Sequence, residues 1–235
     1  MSGILYGVGV GPGDPELLTL KAARLMWEAD LIVYPAPDTG PSFAREIASP
    51  HIPDGAAEMP IIVPMRPERF PAQNVYDTAS EEIAAVLDQG KTVVVLCEGD
   101  PFFYGSFMYL HDRLADRFKV KVVPGVSSLM ACASMYGRPL AGRNDVLTII
   151  PGPLDDEAIE ARLKSTDAAA IMKVGRHFPR IRALIERLGL TNRAAYVERA
   201  TLENQKLCPL ADVGEDSAPY FSMILIYDGS RLWTG

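Results

Sequence analysis

The chain has 235 residues, of which 48% are hydrophobic and 23% are charged, so its composition is that of a folded globular protein rather than a disordered one. Its 30 acidic and 23 basic residues give a net charge of -7, which argues against binding to the phosphates of a nucleic acid. At about 150 residues per domain, the length corresponds to one large domain or two small ones.

The sequence carries no signal for export, membrane insertion or disulfide cross-linking. Its first residues have neither a basic flank nor an apolar run typical of a signal peptide, and the longest apolar stretches, Val93–Cys97 and Met223–Tyr227, are of strand length. Three scattered cysteines without CxxC spacing indicate reduced thiols, and the histidines show no metal-ligand spacing. We therefore expect a cytoplasmic protein that neither crosses a membrane nor binds a metal.

Short apolar runs alternate with helix-length segments, which is the pattern of an α/β protein with largely parallel strands. Strands are predicted at residues 4–10, 31–34, 92–97, 120–123, 146–150, 168–174, 194–198 and 220–227. Helices are predicted from Asp14 to Met26 and at residues 75–87, 104–117, 127–135, 158–163 and 178–188, with a proline-rich connection after the second strand. We expect two domains, residues 1–116 and 117–235, with a ligand cleft between them.

A glycine-rich segment, Gly7-Val-Gly-Val-Gly-Pro-Gly-Asp14, follows the first strand directly. Its spacing does not fit the GxGxxG dinucleotide fingerprint, because the third glycine would fall on Pro12 or Asp14. An acidic residue at the helix start also disfavours a phosphate there. The segment is either a tight strand-to-helix turn or a loop that faces a ligand, and the density of glycines beside Pro12 favours the ligand-facing loop.

Two further segments follow strands at the edge where open α/β sheets bind ligands. In Glu98-Gly-Asp-Pro-Phe-Phe-Tyr-Gly105, the two carboxylates are more typical of a turn than of an acid–base pair, although a carboxylate there could also accept hydrogen bonds from hydroxyls or pair with an ammonium group. In Pro124-Gly-Val-Ser-Ser128, the serines are either a helix cap or small side chains that leave room for a flat ligand.

The segments Val8–Ala22, Cys97–Gly105 and Val123–Ser128, in this order, resemble those of the tetrapyrrole (corrin and porphyrin) methyltransferase family. The resemblance extends essentially from end to end of the chain. Within the family, the stretches Ser42–Arg45 and Glu98–Phe107, together with Gly137-Arg-Pro-Leu140, are most similar to the members that methylate precorrin-2 at C-20 in cobalamin biosynthesis.

The resemblance implies an α/β fold of two αβα domains, the first with a mostly parallel sheet and the second with a mixed sheet, usually as a homodimer. It also implies that S-adenosylmethionine binds in the cleft between the domains. The family's contact segments match Gly11, Pro12, Gly13, Glu98, Gly99, Asp100, Phe103, Ser127, Ser128, Met172, Lys173, Val174, Ala200, Thr201, Pro219, Tyr220, Phe221 and Ser222. Val174 stands where relatives often carry methionine before glycine.

The tetrapyrrole substrate that the resemblance implies carries several carboxylates, for which arginine is the natural bidentate partner. The basic residues in connections or near strand ends are Arg45, Arg66, Arg69, Arg138, Arg143, Lys173 and Arg176. Any one of these residues, considered alone, is more often a solvated surface residue than a substrate contact. Lys173 and Arg176 are the strongest candidates, because they flank the predicted cofactor segment.

The methyl donor is already activated, so we expect the protein to position the reacting carbon and exclude water. An electron-rich meso carbon attacks directly and loses its proton afterwards, which does not require a dedicated base; the candidates for one are Asp100 and Tyr104, with Glu98 beside them. The alternatives are a sibling enzyme that acts on cobalt-precorrin-2 or another ring position, and a non-catalytic module that binds a nucleotide-like ligand.

Overall fold

The computed structural model describes residues 2–64, 70–214 and 218–227. Of residues 70–72 it describes the backbone only. The chain divides into two compact units, Met1–Ser127 and Ser128–Gly235. The division differs from the expected boundary after residue 116, because Lys119–Val123 pairs with the first strand of the chain and therefore belongs to the first sheet. The cleft between the domains stays a prediction.

The first unit is built on a five-stranded parallel sheet. Its strands are β1 (Ile4–Gly9), β2 (Leu31–Pro37), β3 (Glu58–Val63), β4 (Thr92–Cys97) and β5 (Lys119–Val123), in the order β3-β2-β4-β1-β5. Every neighbouring pair runs parallel. The carboxyl ends of all five strands, and the loops that follow them, therefore lie at one edge of the sheet.

Helices cover both faces of this sheet. They are α1 (Leu20–Glu28), α2 (Phe43–Ala48), α3 (Phe70–Leu87) and α4 (Phe107–Leu114). Residues of α3 and α4 form a core with Val93 and Val95 of β4, whereas residues of α1 and α2 form a second core with Val94 and Leu96. Successive side chains of a strand point to opposite faces, so a central strand covered on both faces needs an uninterrupted apolar run.

The second unit is built on a mixed sheet. Its elements are α5 (Ser128–Tyr136), β6 (Leu147–Pro151), α6 (Asp156–Lys164), β7 (Ala168–Met172), α7 (Phe178–Arg187), β8 (Ala194–Glu198), β9 (Lys206–Pro209) and β10 (Ser222–Ile226). The strand order is β6-β7-β10-β8-β9, and β6 with β7 is the parallel pair, the other pairs being antiparallel. Helices α6 and α7 pack into a core on the sheet, and α5 packs against β8, β9 and β10.

The predicted fold of two αβα domains, with a parallel first sheet and a mixed second one, is confirmed. Among the α-helices and strands of the described residues, α2, β3 and β9 were not expected from the sequence. Helix α2 has six residues and β9 has four, which is too short for a periodic pattern, and β3 contains Pro60.

The first helix also starts later than the sequence indicated. The Asp14 carboxylate accepts a hydrogen bond from the backbone N–H of Glu16 and caps the single 3-10 turn Pro15–Leu17. The Thr19 hydroxyl then caps α1 by accepting from the N–H of Ala22 at 3.1 Å. Over the described part of the chain, no helix is both long and apolar enough to cross a membrane.

Candidate functional site

The loops after β1 and β4 are joined by backbone hydrogen bonds at the carboxyl edge of the first sheet. The N–H of Gly99 donates to the carbonyl of Gly11 at 2.8 Å, and the N–H of Gly11 donates back to the carbonyl of Gly99 at 3.3 Å. Both residues have left-handed backbone, with φ of 82° at Gly11 and 63° at Gly99, a conformation that glycine adopts without steric cost.

Two other glycines let the loops after β1, β4 and β5 touch. A Cβ on Gly9 would lie 2.5 Å from the carbonyl oxygen of Gly99 and 2.6 Å from the Cα of Gly125. A Cβ on Gly125 would lie 2.0 Å from the same oxygen. No real Cβ makes contacts that short. The glycine-rich sequence therefore serves two purposes here, the close packing of three loops and the left-handed turn at Gly11.

The Asp100 side chain holds these loops together. One carboxylate oxygen accepts a hydrogen bond from the N–H of Phe102 at 2.9 Å, and the other accepts from the N–H of Gly125 at 3.0 Å. The first bond closes the turn after β4, and the second ties that turn to the loop after β5. Both carboxylate oxygens are thus engaged with backbone amides in this structure.

Glu98 lies half-buried between the end of β4 and the first turn of α2. Burial raises the pKa of its carboxyl group above the ordinary value, while hydrogen bonds from the backbone amides of Glu98 itself and Ala44 act in the opposite direction. A carboxylate at a helix N-terminus interacts favourably with the unpaired amides there. Glu98 therefore joins the loop after β4 to the start of α2.

The remaining candidates in this part of the chain follow β4 and β5. Phe103 is half-buried, and its ring is nearly perpendicular to that of Tyr104 with 5.2 Å between the centroids. Tyr104 is 42% exposed and has left-handed backbone with φ of 55°, which is uncommon for an aromatic residue. Ser127 and Ser128 are half-buried and directly follow the Gly125 loop.

The chemistry of these loops suits a cation better than a phosphate. Residues 9–14, 98–106 and 124–128 contain no lysine or arginine, whereas they do contain Asp14, Glu98 and Asp100. Among the described residues, there is also no group of three histidine, cysteine, aspartate or glutamate side chains that could hold a metal ion. A ligand held here would meet backbone amides, carbonyls and carboxylates.

In the second unit, three predicted contact segments lie together at one edge of the mixed sheet. Met172–Val174 begins at the last residue of β7, Ala200 and Thr201 come after β8, and Pro219–Ser222 ends at the first residue of β10. Because β10 is antiparallel to both neighbours, its start lies beside their ends: Met223 is opposite Met172, and Ser222 is opposite Glu198. The Ser222 hydroxyl is buried and donates to the carbonyl of Pro219 at 2.7 Å. Tyr220 and Phe221 are exposed.

Left-handed backbone is concentrated at this edge. Lys173, Arg199 and Thr201 have φ of 57°, 49° and 73°, and a β-branched residue such as threonine rarely adopts this conformation. In the described residues, the other non-glycine positions with positive φ are Tyr104 and Arg143. Strained backbone of this kind clusters at ligand sites, where the surrounding structure holds it in place.

Basic residues lie at the neighbouring ends of β6 and β7. Lys173 and Arg176 are exposed there. Arg180 of α7 was not expected from the sequence: it pairs with Asp156 and donates to the carbonyls of Gly152 at 2.7 Å and Leu154 at 2.9 Å, so it fixes the loop after β6. The pKa of His177 is lowered by burial and by the charges of Arg176 and Arg180.

The other predicted substrate-binding arginines lie elsewhere. Arg45 forms a bidentate ion pair with Glu58, with N–O distances of 2.8 and 2.9 Å, and this pairing occupies its guanidinium group. Arg138 is exposed and lies 5.6 Å from the centroid of the Tyr136 ring. Arg143 is in the turn before β6, at the opposite end of the sheet from Lys173. Arg66 and Arg69 lie outside the described residues.

The sequence profile of the Tetrapyrrole (Corrin/Porphyrin) Methylases matches residues 4–213 of the chain. Precorrin-2 C(20)-methyltransferase of Sinorhizobium sp. is 41% identical over 96% of the chain and 97% of its own length. Cobalt-precorrin-2 C(20)-methyltransferase of Salmonella typhimurium is 30% identical over 96% of the chain and 97% of its own length. Cobalamin biosynthesis protein CobIJ of Mycobacterium tuberculosis is 42% identical over 97% of the chain, which spans 47% of that relative.

Solved structures share the fold. The cobalt precorrin-4 methyltransferase CbiF matches 95% of the chain and 94% of its own with a TM-score of 0.73 at 22% identity. The uroporphyrin-III C-methyltransferase of Thermus thermophilus, solved in complex with S-adenosylhomocysteine, matches 98% of the chain and 100% of its own with a TM-score of 0.68 at 24% identity.

Proposed function

Because the chain belongs to the tetrapyrrole (corrin/porphyrin) methylase family, we propose that it transfers a methyl group from S-adenosylmethionine to C-20 of precorrin-2, a step of cobalamin biosynthesis. The observation that carries the proposal is the match to the Sinorhizobium precorrin-2 C(20)-methyltransferase, which extends over nearly the whole of both chains. From the family resemblance, we also propose that the protein is a homodimer and acts in the cytoplasm.

The loops of the first sheet support S-adenosylmethionine as the methyl donor. When bound, the donor supplies an activated methyl group on a cationic sulfur, together with an ammonium and a carboxylate group. Loops that contain carboxylates and no lysine or arginine fit this cation. We propose that the loops around Pro12, Gly99 and Ser127 bind the donor through backbone amides and carbonyls.

The second sheet contributes its own contacts in this proposal. Met172–Val174, Ala200 with Thr201, and Pro219–Ser222 bind the donor at the edge where they converge. The left-handed backbone of Lys173 and Thr201 gives this edge a fixed conformation toward the ligand. A site that is ordered before binding loses less conformational entropy when the ligand arrives.

We propose that Asp100 positions the site rather than removing a proton. Both of its oxygens accept hydrogen bonds from backbone amides, which ties the loop after β4 to the loop after β5. The meso carbon of the substrate is nucleophilic enough to attack without a base, and its proton is lost afterwards. Tyr104 stays a candidate for receiving that proton. The main contribution of the chain is to hold the reacting groups in line and exclude water.

The substrate's carboxylates bind Lys173 and Arg176 in this proposal, since both residues are exposed and follow β7 closely in the chain. Arg45 is a weaker candidate, because Glu58 already occupies its guanidinium group. The metal-free substrate is favoured over cobalt-precorrin-2 because the relative named for precorrin-2 is the more similar of the two, at 41% against 30% identity.

Incubation of the purified protein with S-adenosylmethionine and either metal-free or cobalt-loaded precorrin-2 tests the proposal. We expect a product that is one methyl group heavier, with the new methyl on C-20 by NMR, and faster turnover of the metal-free substrate. A methyl on another ring carbon would identify a sibling activity. Tight binding of S-adenosylhomocysteine without turnover of any tetrapyrrole would identify a binding module instead.

A further inference from the structure

The strained turn after β8 is attached to a polar cluster that the proposed reaction does not use. Glu198 accepts a hydrogen bond from the Tyr196 hydroxyl at 2.9 Å and forms an ion pair with the Arg199 guanidinium group. Glu198 and Tyr196 are two residues apart in β8, so their side chains lie on the same face of the strand. Arg199 is the first residue of the turn and has φ of 49°.

One end of this cluster is fixed in the core of the second unit. Tyr196 is 2% exposed, and its ring contacts that of Phe178 edge-on with 5.5 Å between the centroids. The pKa of the Tyr196 hydroxyl is raised mainly by burial and to a smaller extent by the neighbouring Glu198. The hydroxyl therefore stays protonated and donates its hydrogen bond to Glu198. The Glu198 side chain is itself 14% exposed and is held between this donor and Arg199.

The turn that follows the cluster is also held by hydrogen bonds of its own. The N–H of Arg199 donates to the carbonyl of Phe221 at 2.8 Å, which joins the turn to the segment before β10. The N–H of Thr201 donates to the side-chain oxygen of Gln205 at 3.2 Å, and the carbonyl of Arg199 accepts from the N–H of Leu202 at 3.1 Å. Left-handed backbone at two non-glycine residues is strained, so contacts of this kind are needed to maintain it.

We propose that Tyr196 and Glu198 are positioning residues that hold the turn Arg199–Thr201 in the conformation that binds S-adenosylmethionine. The inference rests on the proposed function, in which Ala200 and Thr201 contact the methyl donor. Neither Tyr196 nor Glu198 is required to touch the ligand. Tyr196 anchors Glu198 to the core, and Glu198 in turn anchors the Arg199 side chain. The backbone conformation of Arg199 then fixes the orientation of Ala200 and Thr201 relative to β8.

Calorimetric titration with S-adenosylhomocysteine tests this role in E198Q, Y196F and the control E203Q. Glu203 lies in the same connection, is exposed, and loses the same charge on substitution. We expect the Kd of E198Q to rise about tenfold and that of Y196F about threefold, the effect of losing one hydrogen bond to a charged group. The control is expected to stay within about twofold of the unsubstituted protein.

Steady-state kinetics separates positioning from general destabilisation. In E198Q, we expect the KM for S-adenosylmethionine to rise while kcat and the KM for precorrin-2 change by less than about twofold. An equal loss in all three parameters, or an unchanged Kd in both E198Q and Y196F, would overturn the inference. If E198Q does not fold, the milder Y196F decides the question, because it retains the ion pair.

A double variant tests whether the turn's strain is what Glu198 opposes. Glycine adopts positive φ without cost, so E198Q/R199G is expected to bind S-adenosylhomocysteine more tightly than E198Q alone. Binding no tighter than that of E198Q would overturn the inference. Failure of the unsubstituted protein to bind S-adenosylhomocysteine at all would instead overturn the proposed function, and these two failures are distinguished by the first titration.

Discussion

At the scale of single residues, the carboxylates after β4 differ in what they do although they are neighbours in sequence. Asp100 accepts hydrogen bonds from the amides of two loops, whereas Glu98 accepts a hydrogen bond from the backbone of Ala44 at the start of α2. Sequence alone placed both at a ligand-facing edge and left open whether either was an acid or a base. The structure favours a role in holding backbone for each of them.

The substitution D100N is expected to lower the free energy of unfolding by about 1–3 kcal/mol. The asparagine side chain has one acceptor oxygen, whereas the N–H groups of Phe102 and Gly125 each donate to a separate oxygen of Asp100. Activity is expected to fall through weaker cofactor binding. Urea unfolding and the Kd for S-adenosylhomocysteine are the measurements, with D116N at an exposed position as the control. A loss of about 10²–10⁴-fold in kcat with unchanged stability would instead indicate a proton-transfer role.

Glu98 is expected to make stability depend on pH. Its folded-state pKa lies above the ordinary value of 4.5, so the folded chain binds a proton more tightly than the unfolded chain does. The stabilisation from this proton is fully present below the ordinary pKa and is lost as the pH rises through the raised pKa. E98Q lacks this contribution. Urea unfolding of both proteins between about pH 4 and pH 8 should therefore show that the difference between their free energies of unfolding changes with pH. A difference that stays constant over this range would contradict the assignment.

At the scale of elements, the candidate site at the edge of the first sheet is formed mainly by the backbone of three loops that contact one another, rather than by side chains. The loops after β1, β4 and β5 approach each other at Gly9, Gly99 and Gly125, and this contact follows from the parallel order of the strands. In the second unit, the antiparallel β10 brings its start beside the ends of β7 and β8. Strand direction thus decides which distant segments become neighbours.

Alanine at position 125 is expected to push these loops apart. Its Cβ would lie 2.0 Å from a backbone oxygen that cannot rotate away, so we expect a loss of about 1–3 kcal/mol in the free energy of unfolding and weaker binding of S-adenosylhomocysteine. Gly214 has nothing within 4 Å of the corresponding position, and G214A is expected to change stability by less than about 0.5 kcal/mol. Equal stability of the two variants by urea unfolding would refute the close-packing argument.

At the scale of the whole molecule, the net charge of -7 opposes the approach of a substrate with several carboxylates. A local positive region is therefore needed, and the second unit carries one at Lys173 and Arg176, beside Arg180. Exposed charges of this kind act over about 8 Å at physiological salt, so their effect should depend on ionic strength.

The variant K173Q/R176Q is expected to raise the KM for precorrin-2 about three- to tenfold at low salt, with a smaller difference from the unsubstituted protein at high salt. The control R162Q/K164Q removes the same charge from α6 of the same unit, and its KM is expected to stay near that of the unsubstituted protein. KM measured over a series of salt concentrations checks this. Equal effects of the two double variants would mean that net charge, rather than the local region, guides the substrate.

The sequence by itself determined the alternation of strands and helices and the family, and it predicted the sheet edge at which a ligand binds. It could do so because apolar periodicity, glycine spacing and turn residues are local properties of the chain. It did not reveal α2, β3 or β9, which are short or interrupted by proline and therefore leave no periodic signal. It also placed the domain boundary before β5, since nothing local in Lys119–Val123 says which sheet it joins.

Only the tertiary structure decided which candidate residues lie together and what each one contacts. The ion pair of Arg45 with Glu58 joins residues from different elements, and the separation of Arg143 from Lys173 depends on the direction of β6 and β7. Likewise, the strain at Arg199 and Thr201 is maintained by contacts with β8 and the segment before β10. Residue type sets which chemistry is available to a side chain, whereas strand order and direction decide which partners it meets.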